Sequence, residues 1–280
     1  LGAIDYVFCW LGNADLLLAI IKLIEDRMNA NYDVEVVGVQ TILLVEDSVR
    51  YISTYLPNIY KIILKQSKEY IREALNEHQQ MLRMRGRPKI LLATNYEQAI
   101  ELYEKYRFNM LGIISDITYK RKGVKDKLAG IKLCARVREE DEFMPFILQS
   151  SDMDNKTYAD ELNVGFIHKY SKTLSIELRN YIITQFAFGE LVFRDPITMK
   201  SIGHASDLQS LQNLILTIPD NSLEYHASRN DISKWLNARA IFPIAQLFKY
   251  LTLGDFKNLK EARRSEEHTS ELQSHHDLVC

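Results

Sequence analysis

The feature that most limits what this chain can fold into is an alternation, repeated five times through its middle, between short unbroken apolar runs and longer amphipathic segments. The runs VQTILLV (39–45), KILLA (89–93), MLGIIS (110–115), PFILQ (145–149) and GFIH (165–168) are nearly continuous in apolar residues. They lack the in–out alternation of a strand with one wet face, so they are expected to be buried on both faces, as in a parallel sheet. Between them the apolar residues recur at helical spacing: a long stretch from about 49 to 84, with a break expected near Pro57, then 96–106, 131–141, a short piece near 157–162, and 175–186. Strand–helix alternation with right-handed crossovers leads to an α/β fold, a doubly wound five-stranded parallel sheet. A composition of 46% hydrophobic and 26% charged residues supplies an ordinary core and excludes wholesale disorder.

In such a sheet, ligands bind beyond the carboxyl ends of the strands. There the sequence places Glu46 and Asp47 after the first run, Asp116 after the third, Ser150 after the fourth and Lys169 after the fifth. Three carboxylates in one crevice repel one another and raise each other's pKa. Their hard oxygen atoms suit Mg²⁺, which relieves that repulsion and can neutralise a transferring phosphoryl group. An Asp carboxylate can then act as nucleophile, with an ammonium and a hydroxyl as partners for the new phosphoryl oxygens.

The residues and their order resemble a two-component response-regulator receiver domain over about 40–188. The acid pair is Glu46-Asp47 in VEDS; the phospho-acceptor position falls on Asp116 in IISDI. The conserved-type hydroxyl position falls on Ser150 in FILQSS, the lysine on Lys169 in FIHKYS, and the aromatic switch position on Phe166. The resemblance implies a flavodoxin-like strand order 2-1-3-4-5, Mg²⁺ held by Glu46, Asp47 and Asp116, and phosphorylation of Asp116 by a sensor histidine kinase or phosphotransfer protein. Ser150 and Phe166 would switch an attached C-terminal output domain. It further implies a regulatory role without enzymatic activity in this stretch, and a cytoplasmic location, which three scattered cysteines (Cys9, Cys134, Cys280) also suit. Three departures stand out. Tyr170 replaces the usual proline after the lysine, the loop between Asp116 and Gly130 is long and basic, and about 61–87 is inserted in the first helix. Two other readings remain. One is a non-phosphorylated pseudo-receiver serving as a protein-interaction scaffold. The other is an Asp-nucleophile phosphatase, for which the second Asp two residues on is missing, since Thr118 stands there.

Around this core, residues 1–28 resemble the last strand and helix of a preceding receiver-like domain, with 29–38 expected as a linker. The Gly-Asn-Ala-Asp break and Lys22 argue against a membrane span there. Residues 189–263 are expected to form a mostly helical connector with a short α+β start. Part of it (222–239) resembles a segment preceding the ATP-grasp region of bacterial phosphoenolpyruvate synthase-like proteins. Residues 264–280 resemble a translated sequencing adapter, so His268, His275, His276 and Cys280 are not expected to bind metal. Net charge is −2 for the whole chain. Without residues 265–280 it is +2, from 35 basic and 33 acidic residues, which with no basic recognition helix argues against nucleic acid as partner.

Overall fold

The computed structural model describes residues 6–10, 12–72 and 77–250; the adapter-like tail lies outside them. In chain order the elements begin with α1 (Asp15–Tyr32), a π-helical turn (Asp33–Val37), β1 (Thr41–Val45), α2 (Val49–Arg72), α3 (Glu77–Arg85) and β2 (Lys89–Ala93). Next come α4 (Tyr96–Tyr106), β3 (Met110–Asp116), β4 (Tyr119–Arg121), β5 (Val124–Asp126), α5 (Ala129–Arg138), β6 (Phe146–Ser150), α6 (Lys156–Glu161), β7 (Gly165–His168) and α7 (Leu174–Gln185). The chain continues through β8 (Leu191–Arg194), β9 (Ser201–Ala205), α8 (Leu208–Thr217), α9 (Asp220–Ser228), α10 (Asp231–Ala238) and α11 (Phe242–Tyr250). No helix among the described residues is long and apolar enough to cross a membrane.

Two compact units divide the chain. The first, residues 1–67 and 87–182, holds a five-stranded sheet in the order β2-β1-β3-β6-β7 with every pairing parallel. Counted without the β4–β5 hairpin, this is the 2-1-3-4-5 order expected of a flavodoxin-like receiver fold. β1, β2, β3 and β6 are buried at every position, the burial that the unbroken apolar runs require. Leu43, Val45, Ile113, Phe146 and Leu148 pack on one face with Tyr103 of α4 and Leu133 and Val137 of α5. The alternate residues Ile42, Leu44, Ile114 and Ile147 point to the other face and are also buried.

Helix α2 does not break at Pro57. A proline inside a helix costs about 3 kcal/mol. The stripe Ile52, Tyr55, Leu56, Ile59, Tyr60 and Ile63 is buried on both sides of it, and each such side chain returns about 1.5–3 kcal/mol. Burial therefore outweighs the lost hydrogen bond.

Residues 29–38 are not a linker. They finish α1 and form the π-helical turn, which Gly38 closes with a φ of 84°. Ala30 and Val34 belong to the sheet's own core. Helix α1 lies along β2, the edge strand, where the Asp26 carboxylate accepts a hydrogen bond from the Ile90 N–H at 2.9 Å. Arg87 forks onto both Asp26 oxygens, and the Tyr60 hydroxyl donates to one of them at 2.8 Å. Lys89 lies 3.9 Å from Asp26 and 2.6 Å from Asp33. A buried edge strand needs partners for its free backbone groups, and α1 supplies one through Asp26.

The second unit comprises Lys68–Gly86 and residues 183–280. The inserted end of α2 and helix α3 thus count with the downstream region, a division that sequence patterning did not anticipate. Its described part is an antiparallel β8–β9 hairpin and helices α8–α11 around Phe193, Leu211, Leu223, Trp235 and Leu236. Tyr70 donates to the Phe188 carbonyl, and Trp235 Nε1 donates to the Gly189 carbonyl at 3.0 Å. His226 is buried. Its Nε2 accepts from the Arg194 N–H at 2.9 Å, which leaves Nδ1 to donate to Asp231 at 2.7 Å. Both ring nitrogens are committed to joining α9, β8 and α10.

Candidate functional site

The sheet brings four of the expected residues together at its carboxyl edge. Glu46 and Asp47 follow β1, Asp116 ends β3, and Lys169 follows β7. One carboxylate oxygen from each of Glu46, Asp47 and Asp116 lies within 4.8 Å of the others. Lys169 Nζ is 2.6 Å from Glu46 Oε2 and 2.9 Å from Asp116 Oδ2, bridging the ends of the neighbouring strands β1 and β3. The ammonium also sits 4.2 Å above the ring of Tyr51, the third residue of α2.

Local hydrogen bonds aim the carboxylates. Asp116 Oδ1 accepts from the Ile117 N–H at 2.8 Å, and Glu46 Oε1 accepts from the Ser48 N–H at 3.0 Å. Gly130 makes the position of Asp116 possible. A Cβ there would stand 2.1 Å from the Asp116 carbonyl oxygen, so only glycine lets α5 start so close to the end of β3.

Burial dominates the electrostatics. Desolvation lifts the Glu46 carboxyl from 4.5 to about 7, against the pull of the Lys169 ammonium and with the Asp116 carboxylate pushing the same way. Asp116 is raised as well, by burial first, while Lys169 and the Ile117 N–H hold it back. Three carboxyl groups share one ammonium, so the crevice carries surplus negative charge that burial makes costly. Hard oxygen donors this close together fit a small divalent cation such as Mg²⁺, with Glu46, Asp47 and Asp116 as the residues to hold it.

The other two expected residues border this cluster: the Ser150 carbonyl accepts from the Lys169 N–H at 2.8 Å, and Phe166 lies in β7, which leads into Lys169. Ser150 Oγ accepts from the Asp152 N–H at 3.0 Å and from Asn155 Nδ2 at 2.8 Å, so it is tied to its own loop. Phe166 is half-buried in β7, in register with Leu148, and packs against the α4–α5 core. Sequence patterning missed Tyr51 and Tyr55. Their i, i+4 spacing in a helix that starts two residues after Asp47 was the available signal, and their rings stack at 5.9 Å. It also missed the β4–β5 hairpin, which Lys122-Gly123 could have announced.

No protein-family model matches the chain. No curated protein matches it either. Among solved structures it is similar to a response regulator receiver domain protein from Clostridium thermocellum. The identity is 18%, the TM-score 0.34, and the match covers 51% of this chain and 94% of that one. It is also similar to the chemotaxis response regulator CheY4 of Vibrio cholerae, at 16% identity and a TM-score of 0.31, covering 51% of this chain and 98% of that one. The fold stated above rests on the strand order and directions of this chain itself.

Proposed function

We propose that the first unit is a phospho-accepting receiver module in which Asp116 takes a phosphoryl group. The observation that carries this reading is the convergence of Glu46, Asp47 and Asp116 within 4.8 Å, with Lys169 Nζ bridging Glu46 and Asp116. An oxygen of the Asp116 carboxylate forms the new bond to phosphorus. The bond from phosphorus to the donor's leaving group breaks, and the electron pair departs with that group: acetate from acetyl phosphate, imidazole from a phosphohistidine kinase or phosphotransfer protein. The Ile117 N–H fixes the rotation of the Asp116 carboxylate, and Lys169 supplies positive charge where phosphoryl oxygens arrive. Mg²⁺ bound by Glu46, Asp47 and Asp116 would neutralise charge on the transferring group.

Ser150 is the reporter in this scheme. Its oxygen receives two N–H donors, and its own O–H remains to donate. Phosphorylation draws that hydroxyl toward Asp116, shifting the loop through Asp152 and Asn155 and re-seating Phe166; an attached output region reads the change.

The test is intact-mass analysis of the full chain incubated with acetyl phosphate, with and without Mg²⁺. One Mg²⁺-dependent phosphoryl adduct, cleaved by hydroxylamine and absent from Asp116→Asn, is the expected result. Equal labelling of wild type and Asp116→Asn, or no labelling of either, refutes the proposal, and the second result favours a scaffold that is never phosphorylated.

A further inference from the structure

The β4–β5 hairpin begins three residues after Asp116 and is built, not draped. Its strands pair as Tyr119↔Asp126, Lys120↔Lys125 and Arg121↔Val124. Lys122 and Gly123 close it at φ values of 53° and 77°, the two positive values that a tight two-residue turn needs. Tyr119 is fully buried in the sheet's core. Arg121 stacks 4.9 Å over Tyr96, the Lys122 N–H donates to Glu97 at 2.8 Å, and Lys120 bridges Asn95. One face of the ribbon is thereby fixed to the start of α4.

The opposite face carries Lys120 and Lys125 directly across from each other, a like-charged pair that destabilises a ribbon. Lys122 and Lys127 flank them, and all four are exposed. Among the described residues no carboxylate pairs with any of the four. Asp126, the acid within the hairpin, is engaged by Lys132 at 2.6 Å and Arg121 at 3.9 Å. A rigid ribbon that holds unneutralised lysines against their mutual repulsion is arranged for an anionic partner.

We propose that the Lys120/Lys122/Lys125/Lys127 ridge is the docking site for an acidic polypeptide segment of a partner protein. Charge complementarity fixes the sign of the partner. Scale and chemistry fix its class. The paired strands are three residues each, and they offer lysines with no exposed aromatic ring for a base to stack on. The four lysines are confined to one short hairpin and the residue that follows it, too short a track to follow a long polyanion. The inference stands without phosphorylation of Asp116, and its test does not use phosphorylation.

The test is fluorescence anisotropy of a fluorescein-labelled 12-residue oligoglutamate titrated with the full chain at low salt. The quadruple variant K120Q/K122Q/K125Q/K127Q should bind about tenfold more weakly, from four exposed ion pairs of a few tenths of a kcal/mol each. The matching Lys→Arg quadruple should bind within about twofold of wild type, which separates charge from packing. A control quadruple at Lys61, Lys105, Lys172 and Lys200 should also stay within about twofold. The proposal is overturned if the control loses as much as the hairpin variant. Undetectable binding by wild type, or preferential binding of a DNA duplex of equal charge through the same four lysines, overturns it equally.

Discussion

Two buried carboxylate clusters lie in the same unit and differ in their charge balance. At the β2 edge, Asp26 is fully buried but faces Arg87, while Lys89 is shared with Asp33: two acids and two cations. The Tyr60 hydroxyl and the Ile90 N–H donate to the remaining lone pairs. At the carboxyl edge, Glu46, Asp47 and Asp116 face Lys169 as the one paired cation among the described residues. The first cluster is complete as it stands and ties α1 to the sheet. The second is two positive charges short, and its cost is the reason to expect a divalent cation there. Burial of a charged residue is therefore no pointer to function in this molecule; uncompensated burial is.

Breaking each cluster should have opposite consequences. Asp26→Ala strands the Arg87 guanidinium without its carboxylate, and losses of about 3–5 kcal/mol are typical of such a change. Hydrogen exchange of the β1 and β3 amides reads the stability of this unit directly. Asp116→Asn should leave those amides as protected as before or slightly more so, because it removes a repelling charge. Equal losses from both substitutions would erase the distinction between them.

The next effect is a pH dependence at the carboxyl edge. Glu46 takes up a proton in the folded chain between its ordinary 4.5 and about 7, where the unfolded chain stays ionised. Without metal, the stability this contributes is complete below pH 4.5 and is lost as pH rises through about 7. The loss is on the order of 3 kcal/mol. Glu46→Gln should flatten that slope. Mg²⁺ should flatten it too, by favouring the ionised carboxylate, and a pH titration of hydrogen exchange with and without Mg²⁺ checks both. A slope that survives Glu46→Gln would place the proton elsewhere.

The carboxyl edge was legible in the sequence because strand ends are legible. An unbroken apolar run stops at Val45, Ser115 or His168, and the polar residue that follows must lie at the mouth of a parallel sheet. The β2-edge cluster left no such mark. Asp26 and Arg87 are 61 positions apart and join through the docking of α1, whose strand–turn–helix pattern resembles the close of a separate receiver-like unit. The π-helical turn at Asp33–Val37 was read as a linker for a related reason. Its sequence, DVEVV, carries no helical apolar stripe, and the tertiary packing of Val34 is what draws the turn onto the core. The insertion in α2 failed differently: its helical period was plain, but period does not say which core a helix end joins.

The smallest effect comes from a pair of tyrosines on one helix. Tyr55 and Tyr60 are both buried in α2. The Tyr60 hydroxyl donates to Asp26 at 2.8 Å, and the Tyr55 hydroxyl has no hydrogen-bond partner among the described residues. Removing either oxygen takes away the same atom from the same kind of surroundings, so the difference isolates the partner. Tyr60→Phe deletes a hydrogen bond to a buried carboxylate and should cost about 1.5–3 kcal/mol. Tyr55→Phe deletes a hydroxyl that was desolvated without return, and should be neutral or stabilising by up to about 1 kcal/mol. Hydrogen exchange at β1 measures both. A substantial loss from Tyr55→Phe would mean that its hydroxyl serves the carboxyl edge, where Glu46 and Asp116 both act on it electrostatically, and would move Tyr55 from the packing of α2 into the site.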